Sequence, residues 1–392
     1  MEWRSIHVYY YEADKDALIL EGVRPLFRRL AGQVGAMSFT RHWRRGPHLR
    51  LNVRAGAATF EKVVRPAAEE VIGGFLARRP SVRRRDPEAE LPAHRRLAEL
   101  EGDQGPLTPW HPDNSLRVAP YDRREDVLGN PETADLLADF HAGTTELAFG
   151  MIEEVSGPAR LALGFNLMIA TAHALSGAGI TKAFVSFRSH AEGFLCGFPE
   201  GAGLRPAWDE HYARNADALV DRVDAVVATL ADGRRNVPFV GEWVTTLTPY
   251  RGRAGLLVRD GLVPMGDTAP AEGGLAGLSP FHRRLFGDPR WERTRVSADF
   301  LRYRLMLNLT YLYLTRLGVA PAERFLLCHL AANAVEDRYD VSASVPTGPS
   351  VPTEPAPHAA PREAALREAA PREPAPREAA PREPAPREAS SR

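Results

Sequence analysis

The chain has 392 residues, 44% hydrophobic and 26% charged, with 50 Lys+Arg offset by 50 Asp+Glu. A core of ordinary size is available, and the zero net charge leaves no global field aimed at nucleic acid or an anionic membrane, so any anion recognition is local. Two cysteines, Cys196 and Cys328, exclude a disulfide framework or a cysteine zinc site, and the lack of a leader-like N-terminus or a long apolar run predicts a cytoplasmic protein.

Ile6, Val8 and Tyr10 alternate with His7, Tyr9 and Tyr11, which predicts an opening strand. Val23, Phe27 and Leu30 then share one helical face, with Pro25 in the first turn. Met37–Trp43 and His48–Arg54 flank the turn Arg44-Arg45-Gly46-Pro47, and Phe60, Val64, Val71 and Phe75 return to helical spacing. This β-α-β-β-α unit predicts an α+β fold with a mixed or antiparallel sheet covered by helices.

After a Pro/Arg-rich connection, helices are expected over Pro131–Val155, Ala159–Leu175 and Trp208–Leu230. FVSFRSHAEGFLCGF (184–198) reads as a strand entering a loop, and WVTTL and GLLVRDGLVPM as shorter strands. Two helices close a largely helical second half: Ala298–Leu317, stopped by Gly318, and Pro321 to about Arg338. One domain is expected over 1–345. Over 346–392 a tail follows in which Arg recurs at 362, 367, 372, 377, 382 and 387 among prolines, expected to be disordered, as either an inert linker or a docking segment.

The chemistry concentrates in SFTRHWRRGPHLRLNVR (38–54). A turn centred between Arg45 and Gly46 sets Trp43 opposite His48, Arg41 opposite Arg50 and Phe39 opposite Asn52, all on one face. Opposed guanidinium groups repel, so a negative guest is expected over them. Trp43 would be its wall, with His48 and Asn52 as hydrogen-bonding partners. Neutralisation by the protein's own carboxylates is the alternative, and a one-residue slip would part the two arginines.

A second cluster, Arg188-Ser189-His190-Ala191-Glu192, offers Arg188 and His190 on one side, or else an S-x-x-E capping box. A third, on the closing helices, holds Ser297, Tyr303, Asn308, Tyr311 and His329, where His329 reads as a core residue or a catalyst. HExxH, GxGxxG, Walker and GxSxG motifs are absent from the sequence, so neither a metal nor an organic cofactor is predicted.

VRPLF, RHWRRGPHLRLN, SFRSHAE and FLLCHLAANAVE together resemble the elimination-type C-terminal domain of class I lanthipeptide dehydratases, which also occurs as a stand-alone protein in thiopeptide-type biosynthesis. The resemblance implies action on a ribosomal precursor peptide bearing a leader, without an organic cofactor. Its leading reading is elimination of glutamate from glutamylated Ser or Thr, giving dehydroamino acids. That chemistry implies a separate glutamyl-tRNA-dependent glutamylating subunit as partner. The alternatives are a formal aza-[4+2] cycloaddition of two dehydroalanines into a pyridine, and a non-catalytic leader-binding module.

By resemblance, Arg50 matches the elimination arginine and His329 the histidine of the C-terminal helix, while Ser297 and Tyr303 suit the cycloaddition branch. Arg41 and His190 join the catalytic candidates from the residue reading alone, with Arg188 among the substrate contacts. In YDRREDVLG, Val127 stands where elimination members often carry arginine, leaving Arg123 or Arg124 to substitute. No nucleic-acid or membrane partner is expected, and a homodimer is left open.

Overall fold

The computed structural model describes residues 1–101, 103–197, 201–232, 236–263 and 278–343. Period-two alternation builds β1 (Glu2–Tyr9), whose Ile6 and Val8 are buried against the core. Helix α1 (16–30, with a π-turn at Ile19–Val23) follows, then the hairpin β2 (Ala36–His42) and β3 (His48–Ala55), then α2 (57–78). The expected β-α-β-β-α unit is therefore present.

Helix α3 (Pro87–Glu101) leads to β4 (Ser115–Ala119), a strand the sequence reading missed. All pairings are antiparallel, in the order β2-β3-β1-β4. One sheet face presents Ile6, Val8, Phe39, Leu49, Leu51 and Val53 to the helices. Each such side chain contributes about 2 kcal/mol through burial.

The second half is helical: α4 (Pro131–Gly143), α5 (Thr145–Glu154), α6 (Ala159–Leu175), α7 (Val185–Gly197), α8 (Gly201–Ala231) and α9 (Val240–Arg259). After these come α10 (Pro280–Gly287), α11 (Pro289–Arg295), α12 (Ala298–Leu317) and α13 (Pro321–Tyr339). Apolar residues of the sheet and of these helices join a large contiguous core, and Phe194, Leu195, Trp208 and Phe325 form a smaller cluster beside it.

Three strand expectations are corrected here. Within the 184–198 segment Val185–Gly197 is helix α7, and Phe198 lies outside the described residues: Phe187, Ala191 and Phe194 recur every three or four residues and are buried, outweighing the four-residue alternation of FVSF. WVTTL lies within α9, as does GLLVRDGLVPM up to Arg259, with Trp243, Leu247 and Ala254 on the buried stripe. Pro264 and Met265 lie outside the described residues, as does the expected tail at 346–392. Among the described residues no single helix is long and apolar enough to cross a membrane.

Arg316 joins α12 to the sheet, with its guanidinium 4.4 Å over the Phe39 ring and donating to the His141 carbonyl at 2.8 Å. Burial lowers its pKa to about 10, so it remains a cation that backbone and hydroxyl oxygens must satisfy.

Candidate active site

The hairpin register decides which residues share a face. Pairing is Thr40 with Arg50, His42 with His48 and Ser38 with Asn52, one residue away from the expected register. Five residues, 43–47, form the connection; Arg45 (φ 59°) and Gly46 (φ 106°) take left-handed backbone, and the Gly46 N–H donates to the Trp43 carbonyl at 3.1 Å. Only glycine fits at 46, because a Cβ there would stand 2.6 Å from the Tyr11 hydroxyl.

This slip overturns the opposed-arginine site. Arg41 lies on the core face beside Phe39, donating to Asp16 at 3.1 Å and to the Arg316 carbonyl at 3.0 Å. Asp16 also pairs with Arg160 at 2.8 Å, so Arg41 is a largely shielded tie between elements. Trp43, in the turn, is fully buried with its ring 5.7 Å from His42 and 5.0 Å from His94, packed as a core residue.

The opposite sheet face is mainly polar, with Trp3, Ala36 and Ala119 toward one end. Across β2-β3-β1-β4 run the rows Thr40–Arg50–His7–Arg117 and His42–His48–Tyr9–Ser115, and Ser38–Asn52–Ser5 forms a third. His48 stacks on His7 at 4.6 Å, with Nδ1 2.8 Å from the Gly46 carbonyl. Burial and then the Arg50 charge hold His7 down at about 3. Burial likewise keeps His42 and His48 well below 6.5, so these rings are neutral.

A cleft of about 530 Å³, its open mouth included, lies over part of this face. Thr40, Arg50 and Asn52 form its floor, Asp122, Arg123 and Arg124 its rim, and His141 of α4 with Leu312 of α12 its far wall. Arg50 donates to Asp122 at 3.2 Å, and Asn52 accepts from the Ser5 hydroxyl at 2.9 Å. Burial pushes the Asp122 carboxyl up, but Arg50 and Arg124 outweigh it and leave the pKa below the ordinary value. His141 is held at about 3 by burial and then by Arg316.

Arg123 and Arg124 thus stand at the cleft that Val127 does not reach, with Arg123 paired to Glu125 at 2.5 Å and Asp135 at 2.8 Å. Asp122 and His141 were not among the expected site residues. The acid inside YDRRED was the only sequence signal for Asp122, and nothing local marks His141.

The remaining candidates gather elsewhere, around α7. On one side Arg188 pairs with Glu336, and His329 Nε2 lies 3.1 Å from Asp209. Burial, and next Arg188, lower His329 to about 4 against the opposing pull of Asp209. On the other side His190 Nδ1 lies 3.1 Å from the Tyr311 hydroxyl, itself 3.3 Å from Cys328 Sγ. Burial pushes the Cys328 thiol up to about 12 and raises Tyr303 and Tyr311 above the phenol value.

Tyr303 is buried, donating to the Ala183 carbonyl at 3.1 Å and bonded to Ser186. Ser297 is the N-cap of α12, accepting from the Phe300 amide at 3.3 Å. Arg188 and His190 do not share a side, because the helical turn separates them where a strand would have aligned them. His329 does not line the cleft that Arg50 floors.

Among the described residues no group of three or more His, Cys, Asp or Glu side chains is arranged to hold a metal ion. Fold and site together define an α+β protein built on one four-stranded sheet, with an arginine-floored cleft on the polar face and a hydroxyl and imidazole cluster among its helices. The chain belongs to the lantibiotic biosynthesis dehydratase C-terminal family, whose model matches residues 3–335.

Among solved structures it is similar to the pyridine synthase TbtD from thiomuracin biosynthesis, with 41% identity, a TM-score of 0.71, and coverage of 87% of this chain and 100% of that one. It also shares its fold with TsrL, at 21% identity and a TM-score of 0.66 over 87% of this chain and 96% of that one. Among curated proteins none matches it.

Proposed function

We propose that this protein is a pyridine-forming enzyme that joins two dehydroalanines of a leader-bearing precursor peptide in a formal aza-[4+2] cycloaddition. The observation carrying this reading is the 41% identity to a pyridine synthase along the whole of that chain. Elimination, the reading first favoured by the Arg50 motif, pairs an arginine with the C-terminal histidine. Here Arg50 works against Asp122, while the charges acting on His329 are those of Arg188, Asp209, Arg205 and Glu192.

The chemistry needs proton transfers and no oxidant. One amide moves its N–H proton to its carbonyl oxygen, giving a 2-azadiene, and two bonds then close the ring on the second dehydroalanine. Aromatisation expels water and then the leader as a carboxamide; each step breaks a C–O or C–N bond, protonates the departing atom and takes a proton from a ring carbon. The Arg50 cleft is assigned to holding peptide carbonyls, which guanidinium donors suit. Ser297, Tyr303 and His190 are assigned to the late-helix chemistry. The dehydroalanines are the product class of a dehydratase acting on serine, so a glutamylating and eliminating partner is placed upstream.

The test is mass spectrometry of a leader-bearing, dehydroalanine-containing precursor incubated with the full chain. Loss of water with release of the leader carboxamide is the expected result. Loss of glutamate from a glutamylated precursor without ring formation overturns the reading in favour of elimination. Tight binding with no mass change overturns it in favour of a docking module.

A further inference from the structure

The helical cluster contains a relay that the assignments above do not use. Ser279 is the N-cap of α10, and its hydroxyl accepts from the His282 amide at 3.1 Å. The same hydroxyl lies 2.9 Å from His282 Nδ1, and on the other edge of the ring Nε2 lies 3.0 Å from the Ser189 hydroxyl on α7. Both nitrogens of a buried imidazole are therefore engaged by hydroxyl groups, in the order Ser279–His282–Ser189.

The geometry gives this chain a direction. Ser279 and His282 are buried, whereas Ser189 is partly exposed, so among the described residues the relay opens outward at Ser189. Ser186, one helical turn before Ser189, bonds to Tyr303. Residues three apart share a helix face, so the relay and Tyr303 address the same side of α7. The His190–Tyr311–Cys328 chain differs, since it runs inward from a partly exposed imidazole to a buried thiol. Burial lowers the His282 pKa, opposed by Glu192, whose carboxylate is clasped by Arg205 at 2.9 and 3.0 Å.

We propose that His282 is a positioning acid–base group for the pyridine-forming reaction, acting through the Ser189 hydroxyl, with Ser279 selecting its tautomer. The inference rests on the function proposed above. With Nδ1–H donated to Ser279, Nε2 is free to accept the Ser189 proton. As Ser189 takes the proton of the substrate amide, its own passes to Nε2 and the ring becomes imidazolium. The imidazolium returns that proton through Ser189 to the former carbonyl oxygen, completing the amide N–H to O–H transfer; in the dehydration step the same relay takes a ring-carbon proton and delivers it to that hydroxyl, which departs as water. No oxidant or co-reactant enters, and the histidine ends as it began.

The experiment uses the full chain and the dehydroalanine-containing precursor. His282→Gln is expected to lower kcat about 100-fold, the lower end of general acid–base contributions, with peptide affinity unchanged. Ser189→Ala should lower kcat similarly, and the double variant should be no worse than either, because the two groups act in series. Ser279→Ala should shift the acidic limb of the kcat–pH profile, which a purely structural role would leave in place.

A folded His282→Gln protein with unchanged kcat and pH profile overturns the proposal. If that variant does not fold, Ser189→Ala decides at a partly exposed position, where unchanged kcat is the refuting outcome. A wild type that forms no ring overturns the function reading alone. The relay is then judged by NMR of the His282 ring nitrogens above the imidazole pKa: a single Nδ1-protonated tautomer that is lost in Ser279→Ala supports it, and a mixture insensitive to Ser279→Ala overturns it.

Discussion

Arg41 and Arg50 belong to one hairpin, and the two faces of that hairpin give them opposite work. Arg41 points to the core face, where Asp16 binds it and Arg160 together, and both partners of the Arg41 pair are largely shielded, at 11% and 17% side-chain exposure. Arg50 points to the polar face, and the side chain of its partner Asp122 is 45% exposed at the cleft rim. A shielded acid fixes its guanidinium in place. An acid 45% exposed at a rim is screened by water and yields to a competing guest more readily than a shielded one. What a guanidinium does is set by the exposure of the acid that answers it.

The largest effect that sharpens this contrast should come from the core face. Asp16→Ala leaves Arg41 and Arg160 without their shared carboxylate and should cost about 2–3 kcal/mol in urea unfolding, as expected when largely shielded charged donors lose their acceptor. A cost no larger than that of an exposed ion pair would erase the distinction between the faces.

Acid should act next, and mainly through the polar face. His7 and His141 are held at about 3, so the folded protein keeps both rings neutral. The unfolded chain binds a proton at each below about 6.5, and stability falls as pH drops from there toward 3, by up to about 1.4 kcal/mol per pH unit for each ring. The urea midpoint should decline from pH 7 to pH 5, with a shallower slope in His141→Gln; a flat midpoint would mean the rings are accessible to protons.

Arg50 itself should affect function more than stability. Arg50→Ala should weaken precursor binding about tenfold or more, the loss of a charge-assisted hydrogen bond, and should lower turnover with the fold intact. Arg41→Met should do the reverse, lowering the unfolding midpoint with specific activity unchanged. Equal behaviour of the two variants in both assays would break the comparison.

The hairpin also shows what the sequence made legible. Strand and helix periods in the first 78 residues were strong enough to place each element, and Arg50 and Asn52, two of the residues the sequence singles out, both lie on the cleft floor. Register was not legible, because it depends on whether the turn holds an even or an odd number of residues, and the left-handed backbone at Arg45 is not encoded by a glycine. β4 escaped because SLRVA is short and leaves Arg117 and Val118 exposed at the sheet edge. Asp122, His141 and His282 escaped for a different reason: their partners Arg50, Arg316 and Ser189 lie far away in the chain, and only tertiary packing joins them. The motif around Arg50 also drew the functional reading toward elimination, since one arginine in a familiar setting says little about which groups stand opposite.

The same question of tie or tool can be put to the helical half at Ser297, with the smallest expected effect. As the N-cap of α12 its hydroxyl accepts from Phe300, so Ser297→Ala should cost about 1 kcal/mol of stability. That cost alone cannot say whether the hydroxyl also serves the chemistry. Aspartate caps as well as serine does, but it brings a carboxylate that cannot donate a proton at neutral pH. Ser297→Asp should therefore restore the melting temperature. If turnover returns with it, Ser297 is to α12 what Arg41 is to the sheet, a tie. If turnover stays low in a protein of full stability, the hydroxyl is needed for itself, and the late-helix assignment gains its first member.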